Sequence, residues 1–193
     1  MAITTLNNRS INRSDTASAD QVWTATSATA SDFQAAAAGG ITEADQWRLT
    51  ASLTGTDGDI TANLERVDTD PQGTLGTGMS ESSGIFTFPS TGYWLVSYSS
   101  NANNASAADN VAVYIYGTTD DSNYVLLTQA GDSCGGAAQN QTGRITCSTI
   151  FDVTDVSNVK VKFALSSFAA ASFITGSTTT NYTEMTFIRL GDT

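Results

Sequence analysis

The strongest constraint on this chain is a two-residue hydrophobic period that begins at Trp47 and returns, segment after segment, almost to the last residue. Trp47, Leu49, Ala51 and Leu53 alternate with Arg48, Thr50 and Ser52, and Ile60, Ala62 and Leu64 resume the pattern after the turn sequence TGTDGD. Such alternation marks a strand with one buried face, and the two runs read as a hairpin. A Gly-rich stretch from Asp68 to Gly84 follows, and then Ile85 to Phe88 and Tyr93 to Ser99 read as a second pair, with Trp94, Val96 and Tyr98 on one face. Val111, Val113 and Ile115 pair with Tyr124 to Leu127 across TTDDSN, and Ile145 to Phe151, Val159 to Leu165 and Thr183 to Leu190 complete the series. About nine strands with turn chemistry between them predict an all-β sandwich or jelly roll.

Composition agrees. The 193 residues include 30 Thr and 22 Ser, while only 14% are charged, so uncharged polar groups must cover the surface. Thr-rich and Lys-poor chains of this kind favour strands. Eight basic against 19 acidic residues give a net charge of −11 with no basic cluster, which argues against nucleic acid or an anionic membrane as partner. The start, MAITTLNNRSINRSD, has no apolar run of the kind a secretory leader needs, and no stretch approaches a membrane span; a protein made and folded in a cytosol is expected. Cys134 and Cys147 are 13 residues apart, a spacing that a hairpin could close into a disulfide once outside reducing conditions. With no His and no Cys-x-x-Cys pair, the usual zinc ligand set is missing.

The first 30 residues have few apolar anchors (Ile3, Leu6, Ile11, Val22 and Trp23), too few to fold alone. They read as an extended arm. Ser31 with Gln34 fits a capping box, Ala35 to Ala38 favours helix and Gly39 can end it, so one short helix is expected near residues 32–38. The division expected is therefore an arm over residues 1–45 and a jelly-roll domain over 46–193.

The segment TEMTFIRL is apolar on both faces: Met185 and Phe187 lie on one, Ile188 and Leu190 on the other, and Tyr93 with Leu95 repeats this opposite Trp94 and Val96. A solvated sheet face alternates cleanly. A covering is therefore expected, either another subunit, with Tyr93, Leu95, Met185, Phe187, Ile188 and Leu190 at the interface, or a loop or the arm.

Little in the sequence points to catalysis. Without His, acid–base work would fall to carboxylate pairs, and the chain offers Asp57/Asp59, Asp68/Asp70, Asp120/Asp121 and Asp152/Asp155. All sit in predicted turns, where Asp is structural. Calcium is the other ligand these hard oxygens would take, although no EF-hand loop is present. Trp94, Tyr98, Tyr114 and Tyr116 could form a sugar platform or, as strand residues, belong to the core or an interface.

Residues Gly84 to Ser100, GIFTFPSTGYWLVSYSS, resemble the globular heads of the complement and tumour-necrosis-factor type: a Gly-x-Phe-Thr strand, a Pro-x-x-Gly turn and an aromatic-rich strand. Phe151 to Phe163 and Thr183 to Leu190 are similar to that family's later strands, the last of which lines the three-fold axis. The collagen-like stalk and the membrane anchor of the two branches are absent. The resemblance implies a ten-stranded jelly roll that assembles as a homotrimer. The Ser/Thr/Ala-rich start resembles, in composition, virion structural proteins of tailed bacteriophages. Together these imply a non-enzymatic virion protein assembled in the host cytoplasm without a cofactor, a capsid decoration (cement) trimer. Its arm would bind the major capsid protein or another virion protein through Ile3, Leu6, Ile11, Val22 and Trp23. The alternative is the receptor- or carbohydrate-binding head of a tail or head fibre, with the loops Asn101–Asn110, Gly131–Thr142 and Ala169–Thr180 as contacts.

Overall fold

The computed structural model describes residues 21–25, 31–35, 40–54, 57–104, 110–133, 141–166 and 172–193. The chain divides into two compact units, residues 1–39 and 40–193. In chain order the strands are β1 (Gln21–Ala25), β2 (Ser31–Ala35), β3 (Ala44–Leu49), β4 (Leu53–Thr54), β5 (Gly58–Asp59), β6 (Leu64–Arg66), β7 (Ser80–Ser82) and β8 (Ile85–Thr87). There follow β9 (Gly92–Asn104), β10 (Asn110–Thr118), β11 (Val125–Ser133), β12 (Gln141–Val153), β13 (Lys160–Ser166), β14 (Phe173–Ile174) and β15 (Glu184–Gly191).

The larger unit is an all-β jelly-roll sandwich. In its first sheet β9 is central: β12 pairs along one edge, β15 and then β14 along the other, β3 and β6 lie beyond β15, and β4 lies beyond β14. The second sheet runs β11-β10-β13-β8-β7, with β5 also on β13. Every strand pair is antiparallel. The alternation seen in the sequence is what drives this packing, since residues two apart share a face. Trp94, Val96 and Tyr98 of β9 and Val111, Val113 and Ile115 of β10 are fully buried between the sheets. Phe163 touches Phe86 and Phe187 at centroid distances of 5.4 and 5.9 Å, edge to face, and so joins the two layers.

Several strands expected to pair in sequence order do so differently. Residues 47–53 and 60–64 do not form one hairpin: β6 pairs with β3, but β4 pairs with β14 and β5 crosses to the second sheet. Likewise β8 pairs with β7 and β13, leaving β9 to the other sheet. The β7–β8 connection is a two-residue turn in which Ser83 (φ 53°) and Gly84 (φ 82°) are both left-handed, the combination whose twist matches that of the flanking strands. A Cβ on Gly84 would run into the Ile60 carbonyl oxygen.

The first sheet buries charge as well as hydrocarbon. Arg48 is fully buried, with its guanidinium on Glu65 Oε1 (2.7 Å), Asp68 Oδ1 (2.7 Å) and Thr69 Oγ1 (2.9 Å). The Asp45 carboxylate, 1% exposed, accepts from Trp47 Nε1 (2.9 Å), Arg66 Nε (3.1 Å), Thr74 Oγ1 (3.1 Å) and the backbone N–H groups of Gln46 and Met79. Glu43 accepts from the N–H groups of Thr77 and Gly78. Between them, these side chains tie the Gly-rich stretch 68–79 to β3, in place of a strand period that its sequence lacks.

In the smaller unit the expected helix is overturned. Ser31–Ala35 is strand β2, antiparallel to β1, with Trp23 opposite Phe33 and Thr24 opposite Asp32. A two-turn helix is too short to sustain itself in water, whereas Val22, Trp23, Thr24 and Phe33 favour the strand. Residues 36–39 of that expectation, and Ile3, Leu6 and Ile11 of the arm, lie outside the described residues.

Candidate functional site

Cross-strand register assembles a continuous apolar row on the outer face of the first sheet. Ile150 of β12 stands opposite Leu95 of β9, Leu95 opposite Ile188 of β15, Ile188 opposite Ala44 of β3, and Ala44 forms a bridge with Leu75. Directly opposed residues project from the same face, so five aliphatic side chains cross the whole sheet. Its ends are open: Ile150 is 59% exposed and Leu75 49%. Tyr93 (42%) and Leu190 (50%) are exposed beside it, at the irregular end of the β9–β15 pairing.

The apolar surface continues round the edge. β11 and β12, consecutive in the chain, each pair with only one strand among the described residues. Between them opens a groove of about 400 Å³ lined by apolar Gly117, Val125, Leu127, Ile150, Phe151 and Val159 together with polar Asp120, Asn123 and Asp152. Val125 and Leu127 are exposed. Gly117 keeps the groove floor open, since a Cβ there would come within 2.7 Å of both Leu127 and Phe151. Contiguous exposed apolar surface is the kind from which interaction sites are built.

The structure divides the six residues expected at an interface. Tyr93, Leu95, Ile188 and Leu190 lie on this outer surface. Met185 and Phe187 are fully buried in the protomer's own core and cannot reach a partner, because inward positions of β15 are already packed against the second sheet. Ile150, Ala44, Leu75 and the β11 residues were missed. Ile150 carried a usable signal, since it neighbours the inward Phe151 just as Ile188 neighbours Phe187; Leu75, in a Gly-rich stretch, carried none.

Four of these carboxylates serve the fold. Asp59 holds Lys162 (2.7 Å), Asp68 holds Arg48, and Asp155 accepts from Ser157 N and Asn158 Nδ2. Hydrogen bonds from the Asn123 side chain and backbone, Thr118 and Ser122 hold the Asp120 carboxyl well below the usual range. Among the described residues no three His, Cys, Asp or Glu side chains gather as a metal site. Of the four aromatic residues considered as a sugar platform, Trp94 and Tyr98 are core; Tyr114 and Tyr116 stand 6.1 Å apart on β10. Lys162 Nζ lies 5.5 Å from the Tyr116 ring centroid and 4.6 Å from that of Tyr124, which pins the β10–β11 connection to the sheet. Cys147 is a free, buried thiol on the inward side of β12, and Cys134, considered as its disulfide partner, lies outside the described residues.

No family model and no curated protein sequence matches the chain. Solved structures do. Eiger TNF from S. frugiperda aligns at TM-score 0.55 with 11% identity over 78% of this chain and 93% of its own, and the zebrafish complement 1qA globular domain at 0.52 with 8% identity over 78% and 99%. The PRD1 vertex protein P5 aligns at 0.50 with 17% identity over 79% of this chain and 100% of its own. At these identities what is shared is the fold, the jelly roll of the tumour-necrosis-factor and complement heads.

Proposed function

We propose that this chain is a non-enzymatic virion structural protein whose jelly-roll heads assemble as a homotrimer and decorate a phage capsid. The observation that carries the assembly is the unbroken row from Ile150 to Leu75. Leaving it in water forgoes about 25 cal/mol for each Å² of apolar surface that could be buried, and a monomeric head offers no element to cover it among the described residues. The chain carries two differently shaped apolar areas, a flat row and an edge groove. Apposition of one copy's row to the next copy's edge is heterologous, and heterologous contacts close into rings when the rotation permits; the resemblance to complement and necrosis-factor heads supports three as the number.

Particle attachment falls to the arm, through Ile3, Leu6, Ile11, Val22 and Trp23. Three arms on one head act at high effective concentration, so weak contacts sum to firm binding. Support for the virion comes from the fold shared with the PRD1 vertex protein and from the Ser/Thr/Ala-rich start. The acidic, Lys-poor head keeps trimers from associating with one another in solution. The test is light scattering followed by particle binding, on the full chain and on a chain lacking residues 1–30. Both should scatter as three copies, about 60 kDa for the full chain given 20.1 kDa each, and only the full chain should bind capsids. A 20 kDa species at all concentrations removes the trimer, and binding by the shortened chain removes the arm.

A further inference from the structure

We propose that the outer face of the second sheet is a binding platform for a neutral oligosaccharide, built on Tyr114 and Tyr116 of β10. Val113 and Ile115 are buried between the sheets, so the two tyrosines project from the opposite face. Their ring centroids are 6.1 Å apart. Register surrounds Tyr114 with small residues: Ala164 stands opposite it on β13, Ala112 two positions along its own strand, and Gly131 opposite Ala112. Leu126, exposed and opposite Tyr116, extends the apolar surface; its neighbours Val125 and Leu127 turn to the groove instead. The row from Ile150 to Leu75 belongs to the other sheet, so assembly through it leaves this face open.

Both rings are held in advance. The Tyr114 and Ser166 hydroxyls share a hydrogen bond of 2.6 Å, and Ser166 lies two positions beyond Tyr114's own partner on β13, so the ring lies across the sheet. Lys162, opposite Tyr116, sets its ammonium 5.5 Å from that ring's centroid and 2.7 Å from Asp59 Oδ2. Rings fixed before binding lose little freedom when a ligand arrives. Charge then selects the ligand. Tyrosine faces attract cations, but the Lys162 ammonium already serves those of Tyr116 and Tyr124. Burial and then the charges of Asp121 and Asp59 push the Tyr124 phenol up, so an anion here meets a negative field, on a chain of net charge −11. Lys162 and Asp59 neutralise one another. The partner that fits is uncharged, with an apolar face to stack on the rings and hydroxyls at its edge, as a pyranose has. Gln129, exposed and directly opposite Tyr114, can both donate to such hydroxyls and accept from them.

Calorimetric titration of the full-length protein, with amide shifts followed by NMR, tests this. Cellohexaose, maltohexaose and mannohexaose are the neutral probes, and hexagalacturonate and hexaglucosamine the anionic and cationic ones. At least one neutral hexamer should bind and shift the amides of residues 112–116 and 126–131, with the charged hexamers at least about tenfold weaker. Tyr114→Ala and Tyr116→Ala should each lower that affinity at least about tenfold, and Tyr114→Phe, which keeps the ring, less than about threefold. Leu126→Ser and Gln129→Ala, on exposed side chains, repeat the test should an alanine chain lose its wild-type circular dichroism. Binding by no neutral hexamer, preference for a charged one, or affinity unchanged in these variants overturns the platform. The Leu95→Asp chain should bind the same hexamer equally well per chain, so failure of the trimer and failure of the platform are read separately.

Discussion

Leu95 of β9 stands directly opposite both Ile150 of β12 and Ile188 of β15, so one half-buried leucine joins two neighbours in an aliphatic row whose nearer end, Ile150, is 59% exposed. Its side chain is on the outer face and leaves the core untouched. Leu95→Asp therefore places a charge within the proposed interface, between Ile150 and Ile188, without a cavity inside the protomer. The expected result is a fall in solution mass from about 60 kDa to about 20 kDa with unchanged far-ultraviolet circular dichroism, because desolvating an unpaired carboxylate costs several kcal/mol. Leu75→Asp, at the row's far end, should weaken association without abolishing it. An unchanged mass for Leu95→Asp would mean that the row is not where copies meet.

Asp45 tests how the Gly-rich stretch is held. Every neighbour of its carboxylate is a donor, from Trp47, Arg66 and Thr74 side chains and the Gln46 and Met79 amides. Asp45→Asn conserves shape but turns an NH₂ toward those donors. A loss of about 2–4 kcal/mol in urea unfolding is expected, with earlier proteolysis in residues 68–79 than elsewhere. A loss below about 0.5 kcal/mol would show that the stretch is anchored by something other than this carboxylate.

Gly84 is a test of backbone conformation. Its φ of 82° and the Ile60 carbonyl beside it make Gly84→Ala costly twice, by left-handed strain and by a clash with main chain that cannot rotate away. We expect about 2–4 kcal/mol of destabilisation, whereas Gly191→Ala, with open space around it, should be near neutral. Equal effects at both positions would contradict the turn.

What could be read from the sequence was whatever a single strand encodes. The inward sets Trp94, Val96, Tyr98 and Val111, Val113, Ile115 were legible because burying one face enforces a period of two, and the outward apolar residues Leu95 and Ile188 were legible as violations of it. Which strands pair was not. The row from Ile150 to Leu75 depends on register between segments up to 144 positions apart in the chain (Ala44 to Ile188), and no local pattern records that. Two-residue strands such as β4 and β5 are too short to show any period. At Ser31–Ala35 an alanine run and a capping box suggested helix, and pairing with β1 prevailed because a cross-strand partner outweighs weak propensity over five residues.

The last test uses the Cys147 thiol. Burial pushes its pKa up to about 11, and its inward position opposite Tyr98 leaves reagent no access. In a Cys134→Ser chain, a thiol reagent at pH 8 should therefore react only as fast as the protein opens, and at once in urea. The same burial has a pH signature. A raised folded-state value means that the unfolded thiol ionises first, so the stability tied to the neutral thiol is complete below about pH 9 and is lost as pH rises toward 11. Unfolding free energy should fall by about 1–2 kcal/mol over that window for this one group, and Cys147→Ala should flatten the slope by that amount while lowering stability at pH 7 only slightly. An identical slope in the alanine variant, or rapid thiol labelling in native buffer, would place Cys147 outside the closed core.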